Sequence, residues 1–369
     1  MKERLFLSPP HMSGKELSYV SEAFESNYIA PIGPFVNRFE AEIKRKTGAK
    51  YALAVINGTA AIHLALRVLD VKEGDIVLAS SFTFIGSVSP ILYQNATPYF
   101  IDSNTKSWNL DPDLLLKAIE SAPKKPKALI LTHLYGQMAD IEHIAAICRE
   151  HGIYLIEDAA ESLGAYTSQK QSGTFGDIGI YSFNGNKLLT TSGGGMLVSD
   201  NQAWIERANF LSTQAKDAAG YYEHTEYGYN YRMSNILAAI GVAQMEILDE
   251  RVAQARQIFE WYKEELKDIN EITFMPELPN AHGNRWLTTI LFSKSNYRKI
   301  QKALESENIE SRPLWKPMHL QPLFKESLFI ENGTAQKLFE TGLCLPSGTQ
   351  MTHEDVKKVS AIIKKSCNA

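Results

Sequence analysis

The sequence has little of what marks secreted, membrane-spanning or metal-binding proteins. Its three cysteines, Cys148, Cys344 and Cys367, form no even set and no CxxC pair, so neither a disulfide framework nor a metal site is expected. It contains no run of about 18 apolar residues, the length that a membrane-spanning helix needs. The start, MKERLFLSPP, lacks the long apolar region of a signal peptide. We therefore expect a cytoplasmic protein without a membrane partner.

The sequence also lacks an excess of charge of either sign. Lysine and arginine number 38, aspartate and glutamate 42, and the formal net charge is -4 over 369 residues. This balance offers no polycationic surface, so nucleic acid is not an expected partner. The apolar fraction of 44% and the charged fraction of 22% are ordinary for a globular protein.

Hydrophobic patterning predicts a β/α architecture in the first half of the chain. Short apolar runs alternate with helical patterns from about residue 52 to 199, which indicates a mostly parallel sheet. Residues 128–131 predict a buried strand, and Asp140 precedes a helix that stops at Gly152. The next strand, residues 154–156, delivers EDAAES at its carboxyl end. Ligands usually bind at that edge of an α/β sheet.

The pattern changes in the second half. Residues 236 to about 266 predict one long connecting helix, and the remainder mixes short strands with helices, as a smaller α+β domain does. We predict a large domain at residues 1–250, and a linking helix with a small C-terminal domain at 251–369. This division is compatible with an N-terminal segment that packs on the small domain.

Two segments of the first half offer groups that a charged ligand would need. The segment NGTAA, residues 57–61, follows a predicted strand and opens an apolar helix, so free backbone N–H groups converge on a point that suits a phosphate. Taken alone, this segment is better explained as an ordinary strand-to-helix turn with a capping residue. Asp158 ends a strand of Tyr, Leu and Ile, where an unpaired carboxylate is costly. It needs a cationic partner or a polar cleft, unless it caps a helix.

Lys187 is the third candidate, in the stretch SFNGNKLLTTSGGGML. A phosphate-binding Walker loop requires Ser or Thr after its lysine, whereas Leu188 follows here. No GxSxG elbow occurs and no cysteine stands in a motif with a histidine, which disfavours a serine or cysteine nucleophile. A lone lysine is usually solvated. Together, however, the three segments suit a ligand with a phosphate, a basic ring nitrogen and an aldehyde, and pyridoxal 5′-phosphate (PLP) has all three.

Long ordered segments resemble the DegT family of sugar-nucleotide aminotransferases over nearly the entire chain. They include SNYIAPIGPFVNRFE, NGTAAIHLALR, LIEDAAE, SFNGNK, TSGGGML, YEHTEYGYNYRMSN and RPLWKPMH. Within the family the chain looks most like the PglE-type UDP-4-keto-sugar aminotransferases of bacillosamine synthesis. The resemblance implies the type I (aspartate aminotransferase-like) PLP fold, with a mostly parallel sheet in the large PLP-binding domain and a smaller α+β C-terminal domain.

The resemblance also implies roles for single residues. Lys187 matches the lysine that forms an imine with the cofactor, and Asp158 matches the carboxylate that pairs with the pyridine nitrogen. Glu161 matches a position, often Gln, that hydrogen-bonds the ring hydroxyl. The other matches are the ring-stacking Phe84, the cofactor-binding Gly58, Thr59, Ala60 and Ser182, and Asn230, a phosphate ligand from the second subunit of a homodimer.

For the substrates, the resemblance implies L-glutamate as amino donor and a UDP-linked 4-keto-6-deoxy-2-acetamido sugar as acceptor. The residues that we would test for substrate contacts are Asn186, Arg232, Arg312 and His319. Arginine binds phosphate or carboxylate with two parallel hydrogen bonds, but Arg232 in a structural ion pair and His319 as a packing residue remain alternatives. So do other acceptors, a pseudaminic acid precursor or GDP-4-keto-6-deoxymannose. Because Lys187 is present, a sugar dehydratase or a non-catalytic module is less favoured.

Overall fold

A computed structural model describes residues 4–294 and 296–367. Its strands, in chain order, are β1 Tyr51–Val55, β2 Ile76–Ser80, β3 Thr97–Ile101, β4 Ala128–Thr132, β5 Tyr154–Asp158, β6 Tyr166–Thr167, β7 Lys170–Gln171, β8 Ile178–Ser182, β9 Gly195–Ser199, β10 Ile272–Phe274, β11 Ala281–His282, β12 Thr288–Phe292, β13 Arg312–Pro313, β14 Leu328–Ile330 and β15 Gly342–Leu345. Its helices are α1 Glu16–Glu25, α2 Pro34–Thr47, α3 Gly58–Val68, α4 Ile85–Tyr93, α5 Pro112–Ser121, α6 Ile141–His151, α7 Gln202–Ser212, α8 Asn235–Met245, α9 Leu248–Leu266, α10 Tyr297–Ser306, α11 Thr334–Thr341 and α12 His353–Cys367. None of the helices within the described ranges is long and apolar enough to cross a membrane.

The large sheet has the strand order β1-β9-β8-β5-β4-β2-β3-β14. All neighbours from β8 to β14 are parallel, and β9 pairs antiparallel with β1 and β8. Helices cover both faces: Leu64 of α3 packs on the side of Ile130, and Ile144 of α6 packs on the side of Leu129. Burial on both faces explains why β4 is apolar throughout. The predicted mostly parallel sheet is confirmed.

The elements predicted around this sheet are present with small shifts. The run at 128–131 is β4, and the run at 154–156 is β5. The helix after Asp140 is α6, which ends where Gly152 adopts the left-handed conformation, φ 59°. Asp140 stands at the N-cap position, but its side chain makes no capping hydrogen bond.

The long connecting helix predicted from residue 236 is wrong, because the segment forms two helices. α8 ends at Met245 and α9 begins at Leu248, with Ile247 at φ -116° and ψ 10° between them. Val242 of α8 packs in the core with α1 and α2, whereas Tyr262 of α9 packs against the small sheet. Leu248 and Val252 at the start of α9 still pack in the same core as α8, and only the later part of α9 reaches the small sheet. The helix is therefore interrupted at a point where the hydrophobic period continues.

The small antiparallel sheet has the order β10-β12-β15-β13 and packs against α9, α10 and α12. A third sheet has the order β11-β6-β7. The N-terminal segment pairs through an isolated β-bridge between Leu5 and Ile309, and Ile309 lies shortly before β13 of the small sheet. β14, from the second half of the chain, pairs with β3 of the large sheet. The domain division near residue 250 remains a prediction.

Asp102, at the end of β3, connects the large sheet to the segment that leads into α11. Its carboxylate is fully buried and accepts backbone N–H groups of Ser103, Asn332, Gly333 and Ala335 at 2.7–3.1 Å. A buried acceptor with four donors fixes the position of this connection because each donor would otherwise lose its partner.

We predict that Asp102→Asn lowers the free energy of unfolding by about 2 kcal/mol, because one oxygen acceptor is replaced by an amide N–H₂ group that faces N–H donors. Urea denaturation followed by circular dichroism measures the change. Asp268→Asn, at an exposed position, is the control and should change stability by less than about 0.5 kcal/mol. Equal effects of the two substitutions would contradict the assigned role of Asp102.

Candidate active site

A cavity of about 1020 Å³ opens beside the carboxyl ends of β5 and β8. This is the edge of the sheet at which the sequence predicted a ligand. The start of α3, the start of α4, the loop after β8, the N-terminal segment and residues 310–316 form its walls. Of the predicted site residues, those that line it are Gly58, Thr59, Phe84, Asp158, Glu161, Ser182, Asn186, Lys187 and Arg312.

The first turn of α3 provides the anion-binding end of the cavity. Asn57 is the N-cap, and its Oδ1 accepts the backbone N–H of Ala60 at 2.7 Å. Ala60 is therefore part of the cap, and the N–H groups of Gly58 and Thr59 are left without an acceptor inside the helix. A Cβ atom at Gly58 would lie 3.3 Å from Cβ of Ser182. Because residue 58 is glycine, the start of α3 can lie close to Ser182. This close approach suits a bound phosphate.

Asp158 lies on the cavity floor at the end of β5 and is 4% exposed. Its Oδ2 accepts the hydroxyl of Ser87 at 2.5 Å, and its Oδ1 accepts the N–H of Ala160 at 3.1 Å. Thr83 extends this chain of hydroxyl groups, 2.8 Å from Ser87. Among residues 4–294 and 296–367, no lysine, arginine or histidine forms an ion pair with Asp158. A buried carboxylate in this position is well placed to receive a protonated ring nitrogen.

Lys187 projects into the middle of the cavity. Its Nζ lies 3.7 Å from Oε1 of Glu161 and 4.2 Å from the centre of the Trp286 ring, and its side chain is 14% exposed. The backbone N–H of Lys187 donates to the carbonyl of Asn184 at 2.9 Å, which closes the turn after β8. The lysine is therefore enclosed by the protein, and the alternative of a solvated lysine is rejected.

Glu161 is the most perturbed carboxyl group in the cavity. Burial raises its pKa to about 7, although the ammonium of Lys187 acts to lower it, and the nearby carboxylate of Asp158 raises it further. The backbone N–H of Tyr135 donates to Oε2 of Glu161 at 2.6 Å. Near neutral pH, Glu161 is therefore present in both the protonated and the ionised form.

Aromatic side chains form the wall beside the α4 start. Phe84 is 56% exposed, and its ring lies 5.6 Å from that of Trp315. A large apolar ring exposed inside a cavity suits a flat ligand that stacks on it. Trp315, Trp286 and Ser87 were not predicted as site residues. Ser87 carried a weak signal, since it follows Phe84 by three residues in SSFTFIGS.

The rim of the cavity holds Asn186 and Arg312. The carbonyl of Asn186 accepts the hydroxyl of Ser8 at 2.9 Å and the indole N–H of Trp286 at 2.7 Å. Arg312 is exposed and pairs with Glu310 at 2.7 Å. Its guanidinium is accessible to a ligand that enters from solvent.

Three predicted site residues lie elsewhere. Arg232 pairs with Glu40 at 3.2 Å and donates to the carbonyl of Ala54 at 3.0 Å, which is the structural ion pair weighed as its alternative. His319 stacks on Phe329 at 3.7 Å between ring centres, and burial lowers its pKa. Neither residue lines the cavity, so this geometry does not support their predicted substrate contacts. Asn230 is exposed on the surface, where a second subunit could be reached.

Comparisons with known proteins give matches over nearly the whole chain. The chain matches the profile of the DegT/DnrJ/EryC1/StrS aminotransferase family over residues 10–364. It is 52% identical over 372 residues to EpsN of Bacillus subtilis (strain 168), described as a pyridoxal phosphate-dependent aminotransferase, with 98% of this chain and 96% of that protein covered. It is 35% identical to a GDP-perosamine synthase of Escherichia coli O157:H7, with 94% of each covered. The structure of the aminotransferase TlmJ from Streptoalloteichus hindustanus superposes with a TM-score of 0.93 at 26% identity, covering 99% of both chains.

The raised pKa of Glu161 predicts a pH-dependent stability in the cofactor-free protein. A glutamate in an unfolded chain titrates near pH 4.3, so the folded protein binds more protons between about pH 4.3 and 7. Stability relative to Glu161→Gln should therefore be greatest below that window and fall by up to about 3 kcal/mol as the pH rises through it. Urea denaturation at matched pH values measures the difference, with Glu142→Gln, at an exposed carboxyl group, as the control. Parallel profiles of wild type and Glu161→Gln would contradict the assignment.

Proposed function

Because the chain belongs to the DegT/DnrJ/EryC1/StrS aminotransferase family, we propose that it transfers an amino group from L-glutamate to carbon 4 of a UDP-linked 2-acetamido-2,6-dideoxy-4-keto sugar. The product is a UDP-4-amino sugar of the bacillosamine type. That the protein is a PLP-dependent sugar aminotransferase follows from the family and from the relatives just described. The donor, the nucleotide and the sugar are our proposal. The observation that supports amino transfer is the enclosed Lys187 between Glu161 and Trp286, in the same cavity as Asp158 and the α3 start. The choice of donor and of acceptor rests on the resemblance of the sequence to the PglE type.

The residues of the cavity fit PLP. The free N–H groups of Gly58 and Thr59, with the Ser182 hydroxyl, suit its phosphate, and Asp158 suits its ring nitrogen. Phe84 offers a ring face to its pyridine ring. When bound, PLP supplies an aldehyde that amines condense with and a ring that withdraws electrons from the donor's α-carbon.

Asp158, Lys187 and Glu161 have separate roles around the cofactor. Asp158 holds a proton on the ring nitrogen, because a buried carboxylate stabilises the cation next to it. Lys187 Nζ is the base that removes the proton from the donor's α-carbon, and it returns a proton in the second half of the reaction. Glu161 is placed to exchange a proton with Lys187, since its carboxyl lies 3.7 Å from Nζ and its pKa is about 7. The aromatic walls limit the access of water.

We also propose a homodimer in the cytoplasm, with Asn230 of one subunit reaching the phosphate site of the other. The segment that precedes Asn230 supports this, because Tyr221, Tyr222 and Tyr227 are 68%, 82% and 71% exposed. Aromatic residues are enriched in the buried centres of protein interfaces. The cavity would then be completed by the second subunit.

A GDP-linked 4-keto-6-deoxymannose is the second candidate acceptor. Relatives called GDP-perosamine synthase, from Escherichia coli O157:H7 and Vibrio cholerae, are 35% and 34% identical to this chain. The accessible Arg312 on the rim suits the diphosphate of either nucleotide.

We expect the purified protein to move the nitrogen of ¹⁵N-labelled L-glutamate onto the UDP-keto sugar in preference to the GDP-keto sugar, as measured by mass spectrometry. Lys187→Ala should lose at least the ~10²–10⁴-fold that general acid–base catalysis contributes, since both the base and the cofactor attachment are removed. Lys325→Ala, at an exposed lysine, is the control. Labelled product only from the GDP sugar would select the second candidate, and wild-type rates in Lys187→Ala would reject the mechanism.

Asp158→Asn should leave the protein able to bind PLP and retain its colour, but should slow amino transfer by at least about 100-fold. A neutral amide cannot hold a proton on the ring nitrogen, so electron withdrawal by the ring is weakened. The absorbance spectrum and the rate of the half-reaction with L-glutamate measure the two effects separately. Unchanged half-reaction kinetics would reject the role of Asp158.

A further inference from the structure

Trp286 contacts the catalytic loop at two points. Its indole N–H donates to the carbonyl of Asn186, the residue before Lys187, at 2.7 Å. The face of its ring lies 4.2 Å from Nζ of Lys187. Trp286 is 2% exposed and the Lys187 side chain 14% exposed, so most of the surface of both side chains is removed from water. One side chain therefore touches both the backbone beside the lysine and the amine at its tip.

The position of Trp286 is fixed by Asn284, which is fully buried. Oδ1 of Asn284 accepts the backbone N–H of Trp286 at 2.9 Å, and its Nδ2 donates to the carbonyls of Glu161 and Leu163 at 2.8 and 3.0 Å. Both N–H donors of this amide and one lone pair of its oxygen thus join two walls of the cavity. Asn284 therefore connects the backbone at Trp286 to the backbone at Glu161.

Gly136 lies close to Asn284 and helps to fix its position. The N–H of Asn284 donates to the carbonyl of Gly136 at 2.9 Å, and Tyr135, the preceding residue, donates to Glu161. Gly136 has φ +86°, and a Cβ atom there would lie 1.9 Å from Oδ1 of Asn284. Only glycine allows this approach without displacement of Asn284.

We propose that Trp286 is a positioning residue that, with Glu161, forms a resting site for the amine of Lys187 after its release from the cofactor. This inference rests on the proposed function of Lys187. Release occurs when the donor's amino nitrogen bonds to the cofactor's aldehyde carbon. The bond from that carbon to Nζ then breaks. Nζ carries one proton while it is bonded to the cofactor, receives two more from the donor's ammonium and leaves as an ammonium, and the donor's third proton stays on the donor nitrogen. The released ammonium lies over the ring face, where cation–π attraction is strongest in the absence of water.

The ring face of Trp286 stabilises the ammonium of Lys187 even when Glu161 is protonated and cannot do so. A protonated Glu161 is no counter-ion, whereas the attraction of a ring for a cation does not depend on the state of the carboxyl group. Without the ring, the flexible Lys187 side chain would adopt other rotamers. The entropy that it gains would favour its departure from the site. The resting site keeps Nζ in the cavity, where the ammonium gives one proton to an ionised Glu161, 3.7 Å away, before the neutral amine acts as the base.

The test is an equilibrium titration of the PLP-loaded protein with α-methyl-L-glutamate, followed by absorbance. This amine displaces Lys187 but has no α-hydrogen to lose, so the exchange stops at that point. Trp286→Met removes both the ring face and the N–H donor, and should weaken the exchange roughly 30-fold, the effect of a desolvated cation–π contact. Trp286→Phe keeps a ring face and should weaken it only roughly 3-fold, through the lost hydrogen bond and the weaker ring.

Glutarate provides the matched control, because it carries the same two carboxylates but no amine and cannot displace Lys187. Its affinity, measured by competition, should stay within about 2-fold in both variants. Wild-type exchange constants in Trp286→Met would overturn the proposal, as would an equal loss of glutarate affinity, which would assign Trp286 to the donor pocket. If Trp286→Met does not load PLP, a Trp286→Phe exchange constant equal to wild type overturns it. Failure of the wild-type protein to take PLP at Lys187 would instead reject the proposed function.

Discussion

The structure depends on the enclosure of one lysine amine between a carboxyl group and an indole ring. An ammonium in a buried cavity is costly unless its charge is compensated, and here Glu161 and Trp286 both lie within about 4 Å of the amine, at 3.7 and 4.2 Å. The strands that end at Asp158 and Ser182, the turn at Gly136 and the buried Asn284 all serve to hold the walls that carry these two groups. The large sheet therefore acts as a rigid base for one reactive side chain.

The features of the fold and site that sequence could predict are those encoded locally. Alternating apolar runs predicted the parallel sheet, and the NGTAA turn, Asp158 and Lys187 were predicted to meet at its carboxyl edge, where the structure brings them together. Each signal was weak when taken alone. Their combination was informative because parallel strands carry separate segments to a common edge.

The features that sequence could not predict are those that depend on distant contacts. Trp286 and Asn284 lie about a hundred residues from Lys187, in a stretch with no motif, and reach the site only because β12 begins beside the cavity. Arg232 and His319 were chosen for their chemistry, and side chains far along the chain hold them elsewhere, Glu40 for Arg232 and Ser81, 2.6 Å from Nδ1, for His319. The turn between α8 and α9 was missed because the hydrophobic period continues across it, with Val242 before the turn and Leu248 after it packed in one core.

The central claim is that Lys187 forms the bond to PLP. Borohydride reduction of the PLP-loaded protein, followed by proteolysis and mass spectrometry, tests it directly, because reduction makes the bond permanent. The account predicts a single phosphopyridoxyl group on the peptide that contains Lys187, and none on the other lysine-containing peptides. A modified lysine elsewhere, or an unmodified Lys187 in protein that contains PLP, would contradict it.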